Sequence, residues 1–178
     1  MVTISISSSS PVSRLLDRNC RNTGAIHATA YKFYRGTPVQ ASDIAGVDVE
    51  KVFANGIERQ ARKIGALVTH LIADEAVPAH DIAILLCDGA LKIDCERALK
   101  PLPLPAGCLF GRLDDHGPNL ITVETVARFK GLERPVVFLW ALDSCTPSRH
   151  REAMYVGMSR AKSVLYLCGS QEACDRFL

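Results

Sequence analysis

The sequence contains no Gly-Lys dipeptide, and with it no G-x-x-x-x-G-K-[ST] loop in any of its 178 residues. The chain therefore brings no phosphate cradle and no magnesium-binding hydroxyl of that type. It has no C-x-x-C pair either: the cysteines at 20, 87, 95, 108, 145, 168 and 174 form an odd set of seven. That spacing fits neither a zinc site nor a complete disulfide framework, and predicts reduced thiols used mostly as small core fillers. Long apolar runs are missing as well. The longest uncharged apolar stretches, Ile82–Cys87 and Pro135–Leu142, fall far short of the roughly 20 residues that a bilayer-spanning helix needs. No basic residue precedes an apolar stretch between Met1 and Ser10, which excludes the pattern of a secretory signal. A cytoplasmic location without membrane contact is the expectation. An excess of charge of one sign is lacking too: 21 Lys and Arg stand against 19 Asp and Glu, so any nucleic-acid contact must come from a local site.

What is present is an ordinary globular composition, 48% hydrophobic and 22% charged, which excludes disorder, collagen and coiled coil at a length fitting about one domain. Three almost continuous apolar runs, Ile82–Leu86, Val136–Trp140 and Val164–Leu167, read as central parallel strands buried on both faces. Between them lie helical periodicities. Ile57, Ala61, Ile64, Val68 and Leu71 mark one face of a helix with its N-cap near Asn55, a second helix is predicted over about Arg149–Lys162, and a third over Gly24–Tyr34 behind Asn22-Thr23. Alternating strands and helices predict an α/β class with a mainly parallel sheet flanked by helices. Pro101–Pro105 is expected as an extended connector, and residues 1–14, with the serine run Ser5–Ser10, as a flexible lead-in.

Polar chemistry concentrates in three blocks. Around Lys130-Gly131-Leu132-Glu133, behind a predicted strand Leu120–Glu124, a polar turn with a permissive glycine sits where ligands of open α/β sheets gather. In Arg151–Lys162, a helix would place Arg149, Ala153, Val156, Gly157 and Arg160 on one face. Gly157 there implies close packing or room for a ligand, and Arg160 needs an anion: either a salt bridge to Asp143 or Glu133, or a nucleotide phosphate held by the guanidinium fork. The third block puts Asn19 and Arg21 just before a helix N-terminus, which favours anions. Leu71-Ile72-Ala73-Asp74-Glu75-Ala76 imitates a strand ending in a magnesium-binding Asp-Glu pair, but falls at the end of the amphipathic helix and reads as a helix end.

In this order the blocks resemble the C-terminal part of UvrD/Rep-type superfamily 1 DNA helicases. Leu16-x-x-Asn19-x-Arg21 resembles motif four, Thr125-Val126-x-x-x-Lys130-Gly131-Leu132-Glu133-x-x-x-Val137-Phe138 motif five, and Tyr155-Val156-Gly157-Met158-Ser159-Arg160-Ala161-Lys162 motif six. The resemblance implies a RecA-like, P-loop NTPase-like domain over residues 15–178 without its own phosphate loop, the second of two such domains closing over ATP. It implies that Arg21 and Arg160 reach the γ-phosphate, that Gly131, Glu133 and Asn19 lie on the nucleotide, and that Thr125, Lys130 and Arg128 face single-stranded DNA. ATP and Mg2+ would be held mainly by an N-terminal RecA-like domain of the same protein, so the chain is expected to be a fragment that is inactive alone.

Three positions depart from the family pattern: Cys20 stands where a tyrosine often precedes the arginine, Ala127 where motif five usually has histidine, and Glu152 where motif six often has a second arginine. The interval from Ile26 to Val123 leaves room for only a small inserted subdomain or none. The alternative is a non-catalytic nucleic-acid or protein-interaction module on the same fold.

Overall fold

A strand whose successive side chains are all apolar must be covered on both faces. The computed structural model describes residues 19–37 and 39–178 and puts the three apolar runs at the centre of such a sheet. The elements are α1 (Gly24–Tyr31), β1 (Glu50–Phe53), α2 (Ile57–Ala73), β2 (Ile82–Leu86), α3 (Lys92–Leu99), β3 (Leu109–Gly111), β4 (Leu120–Thr125), β5 (Arg134–Trp140), α4 (Arg151–Met158), β6 (Ala161–Gly169) and α5 (Gln171–Arg176). Among the described residues six strands form one sheet in the order β1-β6-β5-β2-β4-β3, and every pairing is parallel. Leu16 and the lead-in of residues 1–14 lie outside the described residues.

Residue parity divides the core. Ala83 and Leu85 of β2 join Val137, Leu139, Leu165 and Leu167 on the face covered by α1, α4 and α5. Ile82, Ile84 and Leu86 join Phe138, Trp140 and Tyr166 on the face covered by α2 and α3. Burying a side chain of this size contributes roughly 1.5–3 kcal/mol, so a one-residue slip of β2 or β5 would have to exchange two complete apolar sets. One polar hub is admitted. Gln60 on α2 accepts from Trp140 Nε1 (2.7 Å) and donates to Ala54 O and Asp143 Oδ2 (2.8 Å each), which satisfies a buried amide.

Several boundaries differ from the sequence reading. The helix expected over Arg149–Lys162 occupies only Arg151–Met158, because β6 pairs with β5 from Ala161 onward and claims the residues beyond. The first helix stops at Tyr31, and α2 is preceded by Gly56 at φ +86° rather than capped by Asn55. The strands β1 and β3 were not legible: both are short edge strands with exposed positions. Pro101–Pro105 forms neither helix nor strand, and Asp74 sits at the end of α2, both as expected.

Gly157 is explained by packing rather than by room for a ligand. A Cβ there would lie 2.6 Å from Leu139 Cδ1 and 3.0 Å from Val126 Cγ2, and both of those side chains are buried. Alanine would recover about 1 kcal/mol of helix propensity but force overpacking that costs roughly 1–3 kcal/mol. Gly157→Ala is therefore expected to lower the melting temperature by a few degrees; a rise would show that the core yields at no cost.

Candidate functional site

The first rung between β5 and β6 pairs Arg134 with Ala161, and the Arg134 N–H donates to Arg160 O at 3.0 Å. Residues beside that rung, Glu133, Arg160 and Lys162, are thereby brought to the edge of the sheet where these strands begin. The loop before α1 closes on the same edge: Thr23 N–H donates to Lys162 O (3.2 Å), and Asn22 donates to Ser159 O (3.1 Å) and to Ala161 O. Arg21 is delivered to Glu133, with Nε 3.1 Å from Oε2, while Lys162 Nζ lies 3.1 Å from Oε1 of the same carboxylate.

Arg160 stands in the turn between α4 and β6, not on the helix. Its guanidinium donates to Val156 O (Nε, 3.1 Å), Leu132 O (Nη1, 3.2 Å) and Ser159 Oγ (Nη2, 3.0 Å). These acceptors are all neutral. Neither salt bridge left open as the alternative for it forms: Asp143 is engaged by Gln60 Nε2 and by the Ser170 N–H (2.9 Å), and Glu133 is taken by Arg21 and Lys162. Burial, and then the neighbouring Arg21 charge, push the Arg160 guanidinium below its ordinary value, although Glu133 and Tyr155 oppose this. Three cationic groups, Arg21, Arg160 and Lys162, thus lie near one carboxylate, Glu133, which pairs with Arg21 and Lys162 and not with Arg160.

Two further sequence readings change. The N-terminus of α1 is not open to an anion, because the Gly24 and Ala25 N–H groups donate to Ile44 O (2.7 Å) and Ala45 O (3.0 Å). Asn19 is used within its own turn: Oδ1 accepts from the Arg21 and Asn22 N–H groups (2.9 and 3.4 Å), and Nδ2 reaches Asn22 Oδ1 and His27 Nδ1 (2.9 Å each). Its position supports Arg21 rather than presenting an amide to solvent. Gly131 has φ +94° with open space where a Cβ would project, so glycine is required there by backbone conformation. Cys20 is exposed.

Thr125 lies at the opposite edge, opposite Leu86, which also pairs with Trp140 at the end of β5. The segment 126–132 runs back along the sheet face between the two edges, anchored by Val126 and Phe129 (3% and 0% exposed). At the Thr125 edge a groove of about 470 Å³ is lined by Thr125, Ala127, Lys130, Arg149, Glu152 and Val156, among others. Lys130 is exposed and forms no ion pair among the described residues. Arg128 is held instead, 2.7 Å from Asp114 and 3.1 Å from Glu124. Glu124 is wholly buried, hydrogen-bonded to Lys92 of α3 and to the Thr125 N–H (2.8 Å). Burial pushes its carboxyl up, but these bonds and the Lys92 and Arg128 charges outweigh it and hold the group below the usual carboxylate range. Sequence reasoning passed over Glu124 and Asn22. Asn22 was legible only as part of a helix-start signal, and Glu124 only as the last residue of a strand.

Residues 120–168 match the family model of the UvrD-like helicase C-terminal domain. That likeness to the family spans 49 of the 178 residues. The matched span of this domain includes Thr125–Glu133 and Arg160, whereas Asn19, Arg21 and Asn22 reach the same edge from outside it. The domain is 38% identical over 56 residues to the ATP-dependent DNA helicase HMI1, mitochondrial, of Saccharomyces cerevisiae, a match that spans 32% of this chain and 8% of that protein. Its fold is similar to the C-terminal domain of a possible DNA helicase from Lactobacillus plantarum WCFS1, with TM-score 0.67, 19% identity, and coverage of 89% of this chain and 93% of the other. The fold is accordingly RecA-like, a mainly parallel sheet flanked by helices.

The Asn19–Asn22–His27 cluster in this domain has a pH signature. His27 is buried and stacks on Tyr31 with ring centroids 3.8 Å apart. Burial lowers its pKa from the ordinary imidazole value, partly opposed by a hydrogen bond to the Val39 backbone. The unfolded chain therefore binds a proton first as pH falls, and stability contributed above about pH 6.5 is lost below it. Thermal melts between pH 7.5 and 5.5 should lose less stability in His27→Gln than in the parent; equal slopes would contradict the assignment.

Proposed function

We propose that this domain supplies the arginine side of the ATP site in an ATP-dependent DNA helicase. The reading rests on Arg160, a partly buried guanidinium that has hydrogen-bond acceptors but no carboxylate, next to a second arginine. A phosphate oxygen would provide the missing negative charge, and the planar fork suits its geometry. The donor set fits a polyanion: Arg21 and Lys162 share one Glu133, and Arg160 beside them is left without a carboxylate. Mg2+ is a poor fit to that cationic set, and no group of three or more candidate metal ligands occurs among the described residues. The part proposed for this chain is confined to the phosphate oxygens, with ATP and Mg2+ held mainly by an N-terminal RecA-like domain of the same protein. In that arrangement Arg21 and Arg160 stabilise charge developing on the γ-phosphoryl group, the dominant contribution in phosphoryl transfer. Gly131 and Glu133 adjoin the ribose, and Asn19 serves by shaping the Arg21 turn.

Single-stranded DNA is the partner proposed for the opposite edge. Thr125 and Lys130 line the groove there; Arg128, in the same segment, is tied to Glu124 and Asp114 and is proposed to face the strand with them. Hydrolysis would drive translocation by moving one edge relative to the other domain.

In the full-length protein, Arg160→Ala is expected to lower ATP turnover by about 10³-fold or more while changing the melting temperature little, since no carboxylate loses its partner. Lysine should rescue poorly, because a point charge lacks the fork. Near-normal turnover by folded Arg160→Ala would refute the phosphate role, and helicase-rate hydrolysis by the isolated chain would refute the division of labour. For the strand, titration of a labelled oligonucleotide at several salt concentrations should give weak binding that falls with salt, and Lys130→Ala should reduce the log–log slope by about one. An unchanged slope would remove Lys130 from the interface.

A further inference from the structure

We infer that Asn22 is a positioning residue that locks Arg21 and Arg160 into one spatial register, its side-chain amide gripping the chain on both sides of Arg160. The inference rests on the reading of these arginines as phosphate contacts. Asn22 is 5% exposed, and its amide is fully engaged. Nδ2 donates to the carbonyl of Ser159 (3.1 Å), immediately before Arg160, and to that of Ala161, immediately after it. Oδ1 accepts from Asn19 Nδ2 (2.9 Å), and Asn19 Oδ1 in turn accepts from the Arg21 N–H (2.9 Å). A continuous run of hydrogen bonds therefore leads from the backbone of one arginine to the backbone flanking the other.

The chemistry of the side chain is specific. Two donors on one nitrogen, with an acceptor on the adjoining carbon, are what two carbonyls and one amide donor require. Aspartate has the same shape but offers no donor and would set a carboxylate against two carbonyl oxygens. Serine offers one donor on a shorter arm. The backbone beside Asn22 adds a parallel tie, Thr23 N–H to Lys162 O at 3.2 Å. Among the described residues neither arginine side chain hydrogen-bonds to Asn22, so its effect on an anion is through placement.

The test uses the full-length protein with Asn22→Ser and Asn22→Asp, each checked for folding by thermal melt. Turnover of ATP should fall in the order Asn, Ser, Asp, with kcat for Asn22→Ser reduced about 10–100-fold and KM for ATP altered less than about threefold, as for an interaction realised only in the transition state. Combined with Arg160→Ala, the Asn22→Ser loss should be smaller than the product of the separate losses. Wild-type kcat in folded Asn22→Ser, or losses that multiply in full, would overturn the inference. Should Asn22→Asp fail to fold, Asn22→Ser carries the comparison.

Amide hydrogen exchange separates this inference from the phosphate reading. In Asn22→Ser the Thr23 and Arg134 amides, which donate to Lys162 O and Arg160 O, should exchange at least tenfold faster while Phe138 at the centre of β5 does not change. If Arg160→Ala leaves turnover normal but exchange rises as described, the phosphate reading falls and the clamp stands. Unchanged exchange at Thr23 and Arg134 overturns the clamp itself.

Discussion

The pairing of Arg134 with Ala161 at the start of β5 and β6 sets the positions of Glu133, Arg160 and Lys162 at the proposed phosphate edge. Parallel strands buried on both faces cannot slip by one residue without moving each apolar side chain to the wrong layer. The register enforced by Val137, Leu139, Leu165 and Leu167 on one face, and by Phe138 and Tyr166 on the other, therefore extends to Glu133, Arg160 and Lys162, which flank that rung. Only Arg21 arrives from elsewhere. Its loop is fastened to the same rung by Asn22 and by Thr23 N–H, so a core of hydrocarbon fixes the spacing of solvent-facing cations.

Charge arithmetic at this edge favours an incoming anion over internal neutralisation. Glu133 balances one of its cationic neighbours and leaves an excess, and the groups that hold Arg160 orient it without cancelling its charge. The guanidinium is partly buried and is held by three hydrogen bonds. Such preorganisation places the cost of ordering in folding rather than in binding. A salt-bridged arginine would behave differently, because an anion would first have to displace a carboxylate.

The central strands β2, β5 and β6 were legible in the sequence because unbroken apolar runs have one physical explanation in an α/β chain, burial on two faces. The long helix α2 was legible because its period is sustained over several turns. Edge strands β1 and β3 were not, since a few residues with exposed positions leave no pattern. Among the site residues, Arg21, Glu133 and Arg160 come together as the motifs suggested, yet the partner of each depended on tertiary geometry. Whether Glu133 pairs with Arg160 or with Arg21 turns on a few ångströms that spacing cannot encode. The α1 N-terminus was misread for the same reason: Ile44 and Ala45, about twenty residues on, supply the carbonyls that cover it. Asn22 carries no signal as a residue type, because an asparagine before a helix ordinarily caps it, whereas here its side chain is committed across the fold.

The segment 126–132 gives the two edges a common support. It leaves Thr125 at the groove, keeps Val126 and Phe129 in the core, and ends with Leu132 O accepting from Arg160 Nη1. Helix α4 is the second such support, since Val156 lines the groove and its carbonyl accepts from Arg160 Nε. The two supports are packed together at Gly157, where the absence of a Cβ lets Val126 and Leu139 approach the helix. Arg160 is thus hydrogen-bonded to both segments that also line the groove. On the proposed reading, an anion that drew on the Arg160 guanidinium would bear on both segments, which the close packing at Gly157 holds against each other.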